Sequence, residues 1–147
     1  MKIAVVTDST AYLTKEELAE YGVYVLPMSV IFGQETYREE IDITAEEFYA
    51  KVKSSPVFPT STQPAVGETY ELFRELAKDY DAIIPITISS GISGTYQTCV
   101  AVAEDMKDEI AIYPIDSEIS CAPQARAVKL AAIMAKSGEY SPEEIVE

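Results

Sequence analysis

Between Ile88 and Gln97 the chain reads ISSGISGTYQ, which holds three serines, a threonine and two glycines and no lysine, arginine or histidine. The stretch separates an apolar run, Ala82 to Ile88, from a run with helical spacing, Thr95 to Met106. A helix opening at Gly94 or Thr95 presents unpaired backbone N–H groups and the positive end of its dipole. Glycine lets a ligand approach that backbone, and Ser93 adds a hydroxyl donor. Such a turn binds an anion without a cationic side chain. A carboxylate, with a single charge, needs only a few donors, whereas a triphosphate also recruits a lysine and a metal ion. The phosphate-binding pattern GxxxxGK[ST] is absent, and Gly91 and Gly94 lack the spacing of a dinucleotide fingerprint. The same residues also suit ordinary helix capping, with glycine for tight geometry.

Three further segments carry polar residues of the same kind: Thr7-Asp8-Ser9-Thr10, Thr60-Ser61-Thr62-Gln63-Pro64, and Asp116-Ser117 with Ser120. Asp8 and Asp116 suit either a metal-binding pair or loop organisers that cap helices. Thr60 to Gln63 suits either a cap and loop or a ligand contact.

The elements that must position these groups read as an alternation of strands and helices. Lys2 to Thr7, short, apolar and branched, suits a strand buried on both faces of a parallel sheet. Thr14 with Glu17 and Thr44 with Glu47 form capping boxes, each before an amphipathic run. Val23 to Phe32 reads as a second strand that Pro27 interrupts, followed by a turn at Gly33-Gln34 into Glu35 to Arg38. Helical spacing predicts helices over Val66 to Asp79, Thr95 to Met106 and Gln124 to Lys136, with strands over Ala82 to Ile88 and Glu109 to Ile115 between them. The pattern predicts an α/β fold: a three-layer sandwich with a mostly parallel sheet. Ligands in such sheets bind outside the carboxyl ends of the strands, where the polar segments fall. Pro85 and Pro114 each remove a ladder donor and predict a bulge or an edge. The helix after Gln124 is apolar nearly all round, which predicts packing on more than one side. Ser141-Pro142 with Glu144 opens a further helix seven residues from the end of the sequence, and this predicts an N-terminal portion of a longer protein.

Composition narrows the function. The 147 residues are 48% apolar, enough for one domain with a sizeable core. A net charge of −14 repels nucleic acid. No apolar stretch approaches the roughly 18 residues of a membrane span, and Asp8 breaks the first one, so the sequence reads as soluble and cytoplasmic. Histidine is absent, which removes the Ser-His and Cys-His nucleophiles and the usual zinc sites. Cys99 and Cys121 read as small buried hydrophobes in a reducing compartment.

Four segments in order, TDSTAYL at Thr7, PTSTQPAVGE at Pro59, ISSGISGTYQT at Ile88 and IDSEIS at Ile115, resemble the DegV family of bacterial fatty-acid-binding proteins. The third is the most specific. The resemblance implies a two-domain protein about twice this length, of which residues 1–147 are the N-terminal α/β domain, with the second domain closing over the acyl chain. It implies a long-chain fatty acid held by its carboxylate, no further cofactor and no catalysis by this chain, and a partner fatty acid kinase that phosphorylates the bound acid. The family's carboxylate contacts fall on Ser61, where threonine is usual, before Thr62-Gln63-Pro64, and on Ser93. Thr62, Gly94, Thr95, Ile92 and Ser9 are the candidate supporting contacts. The family's arginine and histidine at the head group fall beyond residue 147. The glycines that often follow its Asp-Ser motif are replaced by Cys121-Ala122-Pro123-Gln124, so no role is carried over there. The rival reading is a kinase or phosphotransferase domain that uses the same turn for phosphate and Asp8 or Asp116 for a metal. The lack of lysine and histidine at the motifs weighs against it.

Overall fold

A computed structural model describes residues 1–147. The first strand, β1 (Ile3–Asp8), is buried along its whole length. A short 3-10 turn (Ser9–Ala11) leads to α1 (Lys15–Tyr21), whose Thr14/Glu17 capping box is formed in both directions. The run Val23 to Phe32 is two strands rather than one. β2 (Val23–Leu26) pairs parallel with β1, and β3 (Ser29–Phe32) belongs to a different, antiparallel sheet with β4 (Glu35–Arg38). The break falls at Pro27, which cannot donate to a ladder. After α2 (Ala45–Ser54), opened by the Thr44/Glu47 box, the chain returns to the small sheet as β5 (Thr60–Thr62). β5 pairs antiparallel with β3, placing Ser61 opposite Val30.

Helix α3 (Val66–Leu76) precedes β6 (Ala82–Thr87), which is also wholly buried, and α4 (Thr95–Asp105) follows it. The expected strand at Glu109 to Ile115 is two short pieces, β7 (Ala111–Ile112) and β8 (Ile115–Asp116), both parallel to β6. Pro114 lies in the gap between them, and Pro85 faces that gap. The Ile83 and Thr87 carbonyls accept from Tyr113 and Ser117 on that side. Pro85, two residues from each and so in the same phase, therefore turns its missing donor toward the broken neighbour and costs the β1 ladder nothing. Helices α5 (Cys121–Ser137) and α6 (Pro142–Val146) complete the chain, with the Ser141/Glu144 capping box formed.

The large sheet runs β2-β1-β6-β7/β8, all parallel, with helices on both faces. On one face α5 and α6 pack Val128, Ala131, Ala132 and Ile145 onto Ile3, Val5, Ile84 and Ile86. On the other α3 and α4 pack Phe73, Leu76, Cys99 and Val102 onto Ala4, Val6 and Ile83. This is the three-layer α/β sandwich that the alternation predicts. Helix α5 buries one side only. Leu130 and Ile133 are 58% and 54% exposed, because no other element of the chain reaches that face. Cys99 is buried as expected but Cys121 is exposed, at the first position of α5 with φ 59°. No helix is long and apolar enough to cross a membrane.

Candidate functional site

Strand order reverses direction between β1 and β6: from β1 the chain goes outward to β2, then returns to the other side as β6. The carboxyl ends of β1 and β6 therefore open a crevice from which their connections diverge. Two aspartates shape its floor. Asp8, fully buried, accepts from Ile88 N at 2.7 Å, from Thr10 N at 3.0 Å and from Gln124 Nε2 at 3.3 Å, joining the ends of β1 and β6 to α5. Asp116 accepts from Ser90 N at 3.0 Å and from Glu118 N at 3.1 Å. Hydrogen bonds from Ser90 come first among the influences holding the Asp116 carboxyl below its ordinary value. Asp116 thus anchors the turn 89–94 itself, and Asp8 anchors the strand end that leads into it. No cluster of three or more acidic, cysteine or histidine side chains is arranged to hold a metal ion.

The turn so anchored starts α4 with Gly94 as its cap residue. Ser93 Oγ accepts the Thr95 N–H at 3.3 Å and lies 2.9 Å from Thr95 Oγ1. When the Thr95 hydroxyl donates in that pair, the Ser93 proton is left for an acceptor outside the turn. The N–H groups of Gly94, Tyr96 and Gln97 find no acceptor within the chain, as the first turn of a helix requires.

Ser93 and Gly94 line a cavity of about 370 Å³ together with Ser61, Thr62 and Gln63 from β5 and its exit, and with Tyr12, Met28, Glu39, Ile88 and Ile92. Ser61 and Ser93 thus face one space, from different directions: Ser61 stands on the small sheet, and Ser93 stands at the end of the large one. Thr62, Gly94 and Ile92 join them. Ser9 and Thr95 do not. Ser9 is buried, accepts from Met28 N at 2.9 Å and donates to Glu39 Oε2 at 2.6 Å, and it lines a smaller neighbouring cavity of about 70 Å³ with Val30, Ile43 and Phe48. Thr95 is 1% exposed, and its hydroxyl meets Ser93 and, at 3.7 Å, Met28 Sδ.

The sequence analysis missed Glu39 and Tyr12, which border both cavities. Partial burial, with Glu39 next, pushes the Tyr12 phenol up. Tyr12 lies within the segment TDSTAYL, which assigned it no role, and Glu39 lies in no motif; only the fold of β4 against β3 brings Glu39 to Ser9. No lysine or arginine lines the larger cavity.

A sequence model of the DegV family, described as uncharacterised proteins, matches residues 2–147. The chain is 48% identical over 147 residues to the protein DegV of Bacillus subtilis, covering all of this chain and 52% of that one. It is 46% identical to a DegV domain-containing protein of Halalkalibacterium halodurans, covering 99% of this chain and 51% of the other. The chain spans about half the length of the curated relatives it matches. Among solved structures, the Bacillus subtilis DegV, described as a fatty acid binding protein, superposes with a TM-score of 0.95 over 99% of this chain and 51% of its own. A Thermus thermophilus protein of the same family, described for its fatty acid binding, superposes at 0.88 with 28% identity over the same shares. A stearic-acid-binding protein of Eubacterium ventriosum does so at 0.88 with 29% identity, over 97% of this chain and 50% of its own.

Proposed function

Because the chain belongs to the DegV family, we propose that it binds a long-chain fatty acid, holding the carboxylate between Ser61, Ser93 and the start of α4. The observation that carries this reading is the composition of one cavity. Open helix N–H groups and hydroxyls on two walls supply donors, while Met28, Ile88 and Ile92 supply apolar surface. Its volume, about 370 Å³, is that of a small-molecule site. Glu39 in the lining disfavours a polyphosphate more than a single carboxylate. With no cation in the lining, and with Asp8 and Asp116 engaged as anchors, the phosphotransferase reading is the weaker one. The chain acts as a binding protein rather than a catalyst.

Each buried methylene contributes about 0.8 kcal/mol, so the tail decides affinity more than the head group does. Tyr12 and Ile92 at the mouth are 63% and 70% exposed, and the tail gains from covering such surface. We place that cover in a second domain, corresponding to the half of the relatives that this chain does not match. In this reading the protein works in the cytoplasm and presents the acid to a partner fatty acid kinase. A carboxylate oxygen attacks the γ-phosphorus of ATP, an acyl phosphate forms and ADP leaves.

Native mass spectrometry of the full-length natural protein from a bacterial host is the test. A co-purified mass matching a fatty acid supports the reading, and a bound nucleotide overturns it.

A further inference from the structure

Gln63 follows β5 directly and precedes Pro64, so its backbone is held extended, in line with the strand that carries Ser61. Its side chain crosses to α4, where Nε2 donates to Thr98 Oγ1 at 3.0 Å. This is the only hydrogen bond between residues 60–63 and the α4 segment. On the way the amide points its oxygen at Gly94: a Cβ placed there would overlap Oε1 and crowd the amide carbon at 3.2 Å. Gly94 has φ −78°, a value any residue adopts. Glycine at this position therefore answers to the approach of Gln63 and not to backbone strain.

The two hydroxyls assigned to the head group stand on separate units, Ser61 on the small sheet and Ser93 on the turn after β6. Nothing in either unit alone fixes the distance between them. We propose that Gln63 is a positioning residue for the head-group site: seated on Gly94 and bonded to Thr98, it sets the spacing between Ser61 and Ser93. The inference rests on the fatty-acid reading above and adds a residue that acts through the two serines rather than as a ligand contact.

The test uses the full-length natural protein and two probes with the same tail, oleate and oleyl alcohol. Calorimetric titrations compare the wild type with Gln63→Ala, Gly94→Ala and the double variant. The wild type prefers oleate. Gln63→Ala weakens oleate roughly tenfold, the scale of one charge-assisted hydrogen bond lost, and leaves the alcohol unchanged. Gly94→Ala, by displacing the same amide, weakens oleate by a similar factor, and the double variant is no worse toward oleate than the weaker single one because both remove one contact. Gln63→Ala removes only a half-buried side chain, so it remains informative if Gly94→Ala fails to fold. If Gln63→Ala keeps the full preference for oleate, or weakens acid and alcohol equally, the positioning role is wrong. If the wild type itself shows no preference for oleate, the head-group reading fails and this inference falls with it.

Discussion

The two sheets differ in how much holds them. The parallel sheet has its central strands β1 and β6 fully buried, with a cluster of ten buried apolar residues on each face. The small antiparallel sheet rests on Val30, Phe32 and Ile43, with Tyr37, Phe48 and Val52 half-buried around them, and β5 is exposed throughout. Ser93 belongs to the first region and Ser61 to the second. The cavity therefore has one densely packed wall and one lightly held wall, and in the fatty-acid reading proposed above the second is the one that adjusts to a long ligand while Ser93 and the start of α4 stay fixed.

The sharpest way to break this comparison is to truncate one aromatic ring in each region. Phe73→Ala, in the fully buried cluster under α3, is expected to cost about 3–5 kcal/mol. Phe32→Ala, whose ring meets Tyr37 and Phe48 at 6.4 and 5.8 Å between centroids, is expected to cost less than about 3 kcal/mol because fewer neighbours surround it. Denaturant melts measure both, and equal losses would mean that the small sheet is as firmly built as the large one.

Next in size is the head group. Ser93→Ala is expected to weaken fatty acid binding by about 1–2 kcal/mol, since it removes one donor to a charged acceptor while the backbone donors remain. Ser61→Ala should weaken it by no more than that, because the softer wall adjusts. Calorimetry on the full-length protein decides, and an unchanged affinity for Ser93→Ala would reduce Ser93 to a helix cap.

A smaller effect lies in the anchor of the turn. The Asp116 carboxyl sits below its ordinary value near 3.8, so its contribution is complete above that pH and is lost as the pH falls through the lower folded value. Thermal melts between pH 5 and pH 2 should fall less steeply for Asp116→Asn than for the wild type. Parallel curves would show that Asp116 does not hold the turn.

The smallest effect is chemical and leaves stability untouched. Burial pushes the Cys99 thiol up to about 12, while Cys121 is exposed. A thiol reagent at neutral pH should label Cys121 and spare Cys99 in the native state. Labelling of Cys99 at a matching rate would mean that the α4 face of the large sheet opens readily.

The rigid region was the legible one. Continuous apolar runs announce β1 and β6, the reciprocal Thr14/Glu17 and Ser141/Glu144 pairs announce α1 and α6, and the glycine-hydroxyl turn announces α4 and Ser93. The lightly held region was legible only in part: the Thr44/Glu47 pair announces α2 and the Gly33-Gln34 turn announces β4, while the rest of its order comes from pairing across sequence. Thr60-Ser61-Thr62 is polar on both faces and becomes a strand only through register with Val30. Val23 to Phe32 carries one apolar pattern across two sheets, and only Pro27 marks the transfer. Gln63 and Glu39 owe their places to contacts with Thr98 and Ser9, on elements far away in the chain, which no local pattern encodes. The apolar surround of α5 overstated its burial, since hydrophobicity does not say which face finds a partner.

The most direct measurement is a crystal structure of the full-length natural protein with a bound fatty acid. The account predicts the carboxylate within hydrogen-bonding distance of Ser93 Oγ and of Ser61 Oγ, in front of the first turn of α4. A carboxylate bound elsewhere, with the acyl tail or a different ligand occupying the space between Ser61 and Ser93, would contradict it.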